Sequence, residues 1–182
     1  WARYIFGVCR EMMALGVPVE GFNTAFAGDV PLGAGMSSSA ALESAYAIAL
    51  NDLWGENKID RMELARVGQR TEHKYIGVMC GIMDQAISCL GKKGSLLRLD
   101  CRSGEYEYFP WHPKGYQLVL VNSCVKHTLA GSPYNERRLQ CEHVAEIIGQ
   151  KHPEVKSLRD ATIEMLEEVK GDITGDEYKR AR

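Results

Sequence analysis

The sequence has no Cys-x-x-Cys pair and no His/Cys cluster at zinc-finger spacing, although it holds six cysteines. An ordinary structural zinc site is thereby excluded. It has no apolar run of about 18 residues, the minimum for a membrane-spanning helix. Its first residues do not read as a signal peptide. It also lacks an excess of one charge. The 22 Lys and Arg residues nearly balance 24 Asp and Glu, for a net charge of −2. No basic field argues for nucleic acid or an anionic membrane. Internal repeats and low-complexity tracts are absent too, which excludes a solenoid or a linker protein.

What remains is ordinary globular material: 45% hydrophobic and 25% charged residues, enough for a proper core. The scattered cysteines Cys9, Cys80, Cys89, Cys101, Cys124 and Cys141 are expected to be reduced thiols in a cytoplasmic protein. Both ends read as cut. The chain begins at Trp1 inside an amphipathic pattern and ends at "DEYKRAR" without a helix cap. A fragment truncated at both ends is the expectation.

Apolar spacing predicts helices over 1–15, 37–54, 60–76 and 132–148, and a charged helical tail from Pro153. Asp60 with Glu63 forms a capping-box pattern, and Pro133 suits a first helical position. Residues 21–30, "SLLRLD", "EYEYF" and "YQLVLVNS" read as strands. Helices and strands do not alternate regularly, so the fold class is α+β.

The stretch "GDVPLGAGMSSSAALESAYAIAL", residues 28–50, sets glycines directly before an almost wholly apolar helix. Glycines let a backbone approach a ligand and turn its amides inward. A helix N-terminus offers free amides and a positive dipole end, so the order strand–loop–helix suits a polyphosphate. Ser37, Ser38 and Ser39 supply capping hydroxyls or a magnesium ligand. The other reading is a structural strand–helix turn. Three familiar loops fail on detail: the lysine of a Walker loop is missing, Ser38 stands where a dinucleotide fingerprint needs its third glycine, and no Gly-x-Ser-x-Gly is present.

Two carboxylates stand out. Glu72 shares a helical face with Ala65, Gly68, Tyr75 and Ile76. A buried charge needs a partner, and Mg²⁺ is a suitable one; the alternative is an exposed helix glutamate. Asp84, in "CGIMDQ", is either the cap of a short helix or a general base near a substrate hydroxyl.

Taken together, "WARYIFG", "PLGAGMSSSAALE", "GIMDQ", "LDCRS" and "SPYNERRLQCE" resemble, in the same order and at similar spacing, the sugar kinases of the GHMP superfamily, and among them the galactokinases. The resemblance covers at least residues 1–150. It implies the GHMP-kinase N-terminal fold, of the ribosomal protein S5 domain 2-like type, a mixed sheet with packed helices. Residues 1–150 would be the central part of this ATP- and sugar-binding domain, and 151–182 the helical start of a C-terminal half. It further implies that Gly33, Ala34, Gly35, Met36, Ser37, Ser38 and Ser39 wrap the phosphates of ATP. Ser39 and Glu72 would serve Mg²⁺, and Asp84 would be the catalytic aspartate beside the C1 hydroxyl of galactose. Gly81 and Tyr134 match sugar-contacting positions, and Trp1, Tyr4 and Leu32 match positions lining the adenine pocket.

The sequence also departs from the family. The sugar-gripping "EHTDY"-type motif with its nearby arginine, and the glycine-rich third motif, are absent, and Met36 replaces a more usual leucine. The resemblance therefore implies a monomeric parent that phosphorylates galactose with Mg-ATP. The 182-residue piece alone is expected to be inactive and to form non-native oligomers through exposed core surface. A galactose sensor that engages a transcriptional regulator is a rival, disfavoured because Ser37 to Ala40 are all present. A kinase for N-acetylgalactosamine is another.

Overall fold

The computed structural model describes residues 1–121 and 133–182. The chain divides into two compact units, Trp1–Ala130 and Gly131–Arg182.

In the first unit, helices α1 (Ala2–Ala14), α2 (Ser38–Leu53), α3 (Arg61–Thr71) and α4 (Met83–Leu90) build the core, and α3 runs directly into a π-helical turn, Glu72–Ile76. Helix α2 packs against α1, α3 and α4, which is why its sequence is apolar on most sides. Tyr46, Ala47 and Leu50 from α2 meet Ile5, Val8 and Met12 from α1, Leu64 and Val67 from α3, and Ala86 and Leu90 from α4. Asp60 caps α3, accepting from the amides of Met62 at 2.9 Å and Glu63 at 3.0 Å, but the expected capping box does not close, because the Glu63 carboxylate bonds Arg66 and Arg70. Gly7 allows α1 to close on α3. A Cβ there would lie 2.5 Å from Thr71 Cγ2 and 3.0 Å from Tyr75 Cδ2.

Strands β1 (Ser95–Leu99) and β2 (Tyr106–Pro110) form an antiparallel hairpin with Leu97 opposite Tyr108. The Tyr108 hydroxyl donates to the Leu90 carbonyl, tying the hairpin to the end of α4.

Two expected strands are not strands. Residues 21–30 have no regular structure. They keep the two-residue period of a strand, since Phe22 and Phe26 stack on Tyr46 and the Thr24 hydroxyl bonds Tyr46 Oη at 2.9 Å. Residues 116–121 are likewise irregular, and Leu118 to Val121 are largely exposed. A strand needs a neighbour to take its backbone hydrogen bonds. Among the described residues neither segment has one, so the sheet is a two-stranded hairpin.

In the second unit, α5 (Pro133–Lys151) is followed by a 3₁₀ turn (Leu158–Asp160), α6 (Ile163–Glu168) and α7 (Gly175–Ala181). Val144, Ile148, Val155, Leu166 and Val169 form its core. Glu177 completes a capping box with Thr174 and also bonds His143 at 2.7 Å, joining α7 to α5.

Candidate functional site

The loop that precedes α2 alternates in hand. Gly33, Gly35 and Ser37 have φ of 69°, 72° and 54°, while Ala34 and Met36 between them stay negative. Alternation of this kind turns successive amides to one side and makes an anion-binding concavity. Nothing lies within 4 Å of where a Cβ would stand at Gly33 or Gly35. The left-handed backbone alone is what calls for glycine there. Ser37 pays the same conformational cost without being glycine, a strain that recurs at functional sites. It occupies the N-cap position of α2, but its side chain makes no cap bond. The hydroxyl cap expected from the serine run is therefore absent, and the first-turn amides of a 16-residue helix face the loop.

Ser39, in the first turn of α2, lies close enough to the Glu72 carboxylate to favour its charged form. Glu72 is only 2% exposed, so it is not a surface helix glutamate. It opens the π turn, where Gly77 and Val78 both donate to its carbonyl. The π register explains why the simple helical face drawn from sequence fails. Tyr75 turns toward α1, where its hydroxyl reaches Glu11. His73 bonds the Cys80 carbonyl at 2.9 Å. Turns of this type are rare and concentrate at functional sites. Burial pushes the Glu72 carboxyl up; the nearby Ser39 hydroxyl and His73 pull it down, and the charge of Asp84 pushes it up again. Its Oε2 is buried without a hydrogen-bond partner.

Asp84 lies in the first turn of α4 and is exposed. It is not the cap, since Ile82 holds that position. The capping alternative therefore falls away, and the carboxylate is free to meet a ligand. The phosphate-type loop, Ser39, Glu72 and Asp84 thus belong to one region of the first unit.

Two residues that sequence reasoning missed lie beneath it. Glu43, one helical turn beyond Ser39, is 0% exposed, and its Oε2 accepts from Gln85 Nε2 at 3.3 Å. Burial pushes its carboxyl up to about 9, the charge of Glu72 adds to this, and the Gln85 bond opposes it. Glu43 is therefore a neutral acid at pH 7. The Cys80 thiol is pushed up to about 12 by burial and then by Glu72, so it is no nucleophile. The one signal for Glu43 was a lone charge in the otherwise apolar run "SAALESAYAIAL".

The remaining expected residues are dispersed. The Tyr4 hydroxyl is pushed up by burial and by Glu72 and Glu43, which places it beside the acid pair. Trp1 is 75% exposed, its ring tilted against Phe26 at 5.7 Å. Leu32 is exposed in the loop and Gly81 is exposed just before α4. Tyr134 belongs to the second unit, in the first turn of α5.

The donor set suits a magnesium ion brought by a nucleotide. Among the described residues, no group of three His, Cys, Asp or Glu side chains could hold a metal alone. Ser39 and the orphaned oxygen of Glu72 offer partial coordination, and Mg²⁺ characteristically takes one or two protein oxygens and completes its shell from phosphates and water.

Residues 3–92 match the family model of the GHMP kinases N terminal domain. The chain belongs to the GHMP kinases. Within that family it is 40% identical over 173 residues to a galactokinase of Thermotoga petrophila, covering 95% of this chain and 48% of the relative. It is 42% identical over 162 residues to a galactokinase of Chloroflexus aggregans, covering 88% and 40%. The crystal structure of Lactococcus lactis galactokinase complexed with galactose superposes with a TM-score of 0.84 at 31% identity, over 100% of this chain and 47% of that one. The chain spans about half the length of the GHMP kinases it matches.

Proposed function

We propose that the whole protein is a galactokinase that transfers the γ-phosphoryl group of ATP to the C1 hydroxyl of galactose. The observation that carries this reading is the convergence of the left-handed loop, the buried Glu72 carboxylate beside Ser39 and the exposed Asp84. Similarity to galactokinases over 95% of the chain supports the choice of sugar.

Phosphoryl transfer asks a protein mainly for positioning and charge stabilisation. Loop amides from Gly33 to Ser39 hold the phosphates, aided by the positive end of α2. Ser39 and Glu72 hold Mg²⁺, which when bound neutralises charge on the β and γ phosphates. Asp84 orients the C1 hydroxyl and accepts its proton as the sugar oxygen bonds to the γ phosphorus. The bond from that phosphorus to the bridging oxygen breaks, and ADP leaves with the electron pair. Gly81 contacts the sugar, while Trp1, Tyr4 and Leu32 border the adenine. The protein acts in the cytoplasm and needs no nucleic-acid or membrane partner.

The test is ADP release by the full-length protein with Mg-ATP and galactose, N-acetylgalactosamine or no sugar. Galactose-dependent turnover is expected. Turnover with N-acetylgalactosamine alone would reassign the sugar. Binding of ATP and galactose without turnover would make the protein a sensor.

A further inference from the structure

Asp84 stands in the first turn of a short helix whose core residues, Ala86 and Leu90, lie further along it. Helix α4 has eight residues, and no side chain caps its start. The neighbouring residue, Gln85, points the other way and is 2% exposed. Its Nε2 bonds Glu43 Oε2 on α2 at 3.3 Å and lies 3.7 Å from Cys80 Sγ. Gly68 of α3 makes room for this bond. A Cβ there would come within 2.9 Å of Gln85 Cγ and 3.2 Å of Glu43 Oε2. Each end of the bond sits next to a reacting part. Gln85 adjoins Asp84 along the chain, and Glu43 follows Ser39 by one helical turn.

We infer that the Glu43–Gln85 hydrogen bond, seated in the gap at Gly68, is a positioning strut that fixes Asp84 relative to the nucleotide loop of α2. The inference rests on the galactokinase reading and adds two residues that touch neither substrate. A proton acceptor must lie within about 3 Å of the hydroxyl it serves, so a small displacement costs rate rather than binding. The bond is buried, so water cannot replace it when one partner is lost. Glu43→Gln keeps an acceptor oxygen for the Gln85 amide and should preserve the strut, whereas Gln85→Met keeps the volume and removes the donor.

The experiment is steady-state kinetics of the full-length protein and its variants with Mg-ATP and galactose, alongside thermal unfolding. For Gln85→Met, kcat is expected to fall at least tenfold while both KM values stay within about threefold. Glu43→Gln should retain kcat within about threefold. In an Asp84→Asn background, Gln85→Met should produce no further loss, because it acts through Asp84. Should Gln85→Met fail to fold, Gln85→Asn keeps the amide but shortens the strut, and at least a threefold loss of kcat is expected. Unchanged kcat in folded Gln85→Met or Gln85→Asn overturns the strut and leaves the galactokinase reading intact. A full further loss on top of Asp84→Asn also overturns it. Absence of galactose-dependent turnover in the wild-type protein would instead overturn the reading, and the strut with it.

Discussion

Ser39 sits beside Glu72, a carboxylate almost wholly removed from solvent, and pulls its pKa down, while Glu72 Oε2 is buried with no hydrogen-bond partner. That pair joins the first turn of α2 to the π turn that ends α3, and it leaves one buried oxygen in want of a cation. In Glu72→Gln the amide keeps the shape and loses the charge. The magnesium concentration giving half-maximal activity should rise by at least about tenfold. An unchanged magnesium dependence of the full-length enzyme would argue against ligation by Glu72.

Glu43 makes a prediction about pH. Its folded-state pKa of about 9 lies above the ordinary value of 4.5. The folded state therefore binds the proton more tightly than the unfolded state. The stability that this contributes is fully present below pH 4.5 and is lost progressively as pH rises toward 9. Glu43→Gln has no proton to lose. Urea unfolding at pH 5 and pH 8 should show wild type losing more stability than the variant between the two, by an amount on the order of a few kcal/mol.

Glu11 works in the opposite direction. Burial alone would raise its carboxyl, but hydrogen bonds from Lys74 at 3.0 Å and Arg70 at 2.6 Å, with their charges, bring it below the ordinary value. Its contribution is present above the ordinary carboxylate range and is lost as pH falls through the lowered folded value. Arg70→Leu leaves Glu11 with Lys74 and Tyr75 and should cost about 1–3 kcal/mol at pH 7. Denaturant titration should show that penalty shrinking in acid, where Glu11 is protonated.

Gly35 tests the loop. Its φ of 72° is left-handed, and a Cβ there would meet nothing. Gly35→Ala therefore introduces no clash, only a backbone preference worth about 1–2 kcal/mol against the observed hand. The KM for ATP should rise several-fold while the KM for galactose holds. Equal effects on both would mean that the loop serves more than the nucleotide.

Much of this was legible in the sequence, unevenly. The spacing of Ile5, Val8 and Met12 marked α1, Asp60 marked the start of α3, and the glycines and serines marked the loop, because each is a local signal read by local chemistry. Glu72 was visible as a suspect carboxylate, but its surroundings were not. The π turn shifts the register at that residue, so Tyr75 leaves the face that a 3.6-residue period assigns it. Glu43 escaped notice because its partner, Gln85, is 42 residues away, and no periodicity reports such a pairing. Phe22, Thr24 and Phe26 carry the alternation of a strand, yet they lie on Tyr46 without a ladder. A side-chain pattern specifies a face, whereas a strand also requires a neighbouring backbone.

The account turns on Asp84 as the group that takes the proton from the sugar hydroxyl, and one measurement addresses it most directly. Galactose-dependent ADP release should be compared between the full-length wild-type protein and Asp84→Asn, with the fold monitored by thermal unfolding. Because Asp84 is exposed and caps nothing, the variant should unfold at nearly the wild-type temperature while kcat drops by about 10²–10⁴-fold. A folded Asp84→Asn enzyme that retains activity within a few-fold of wild type would contradict the account.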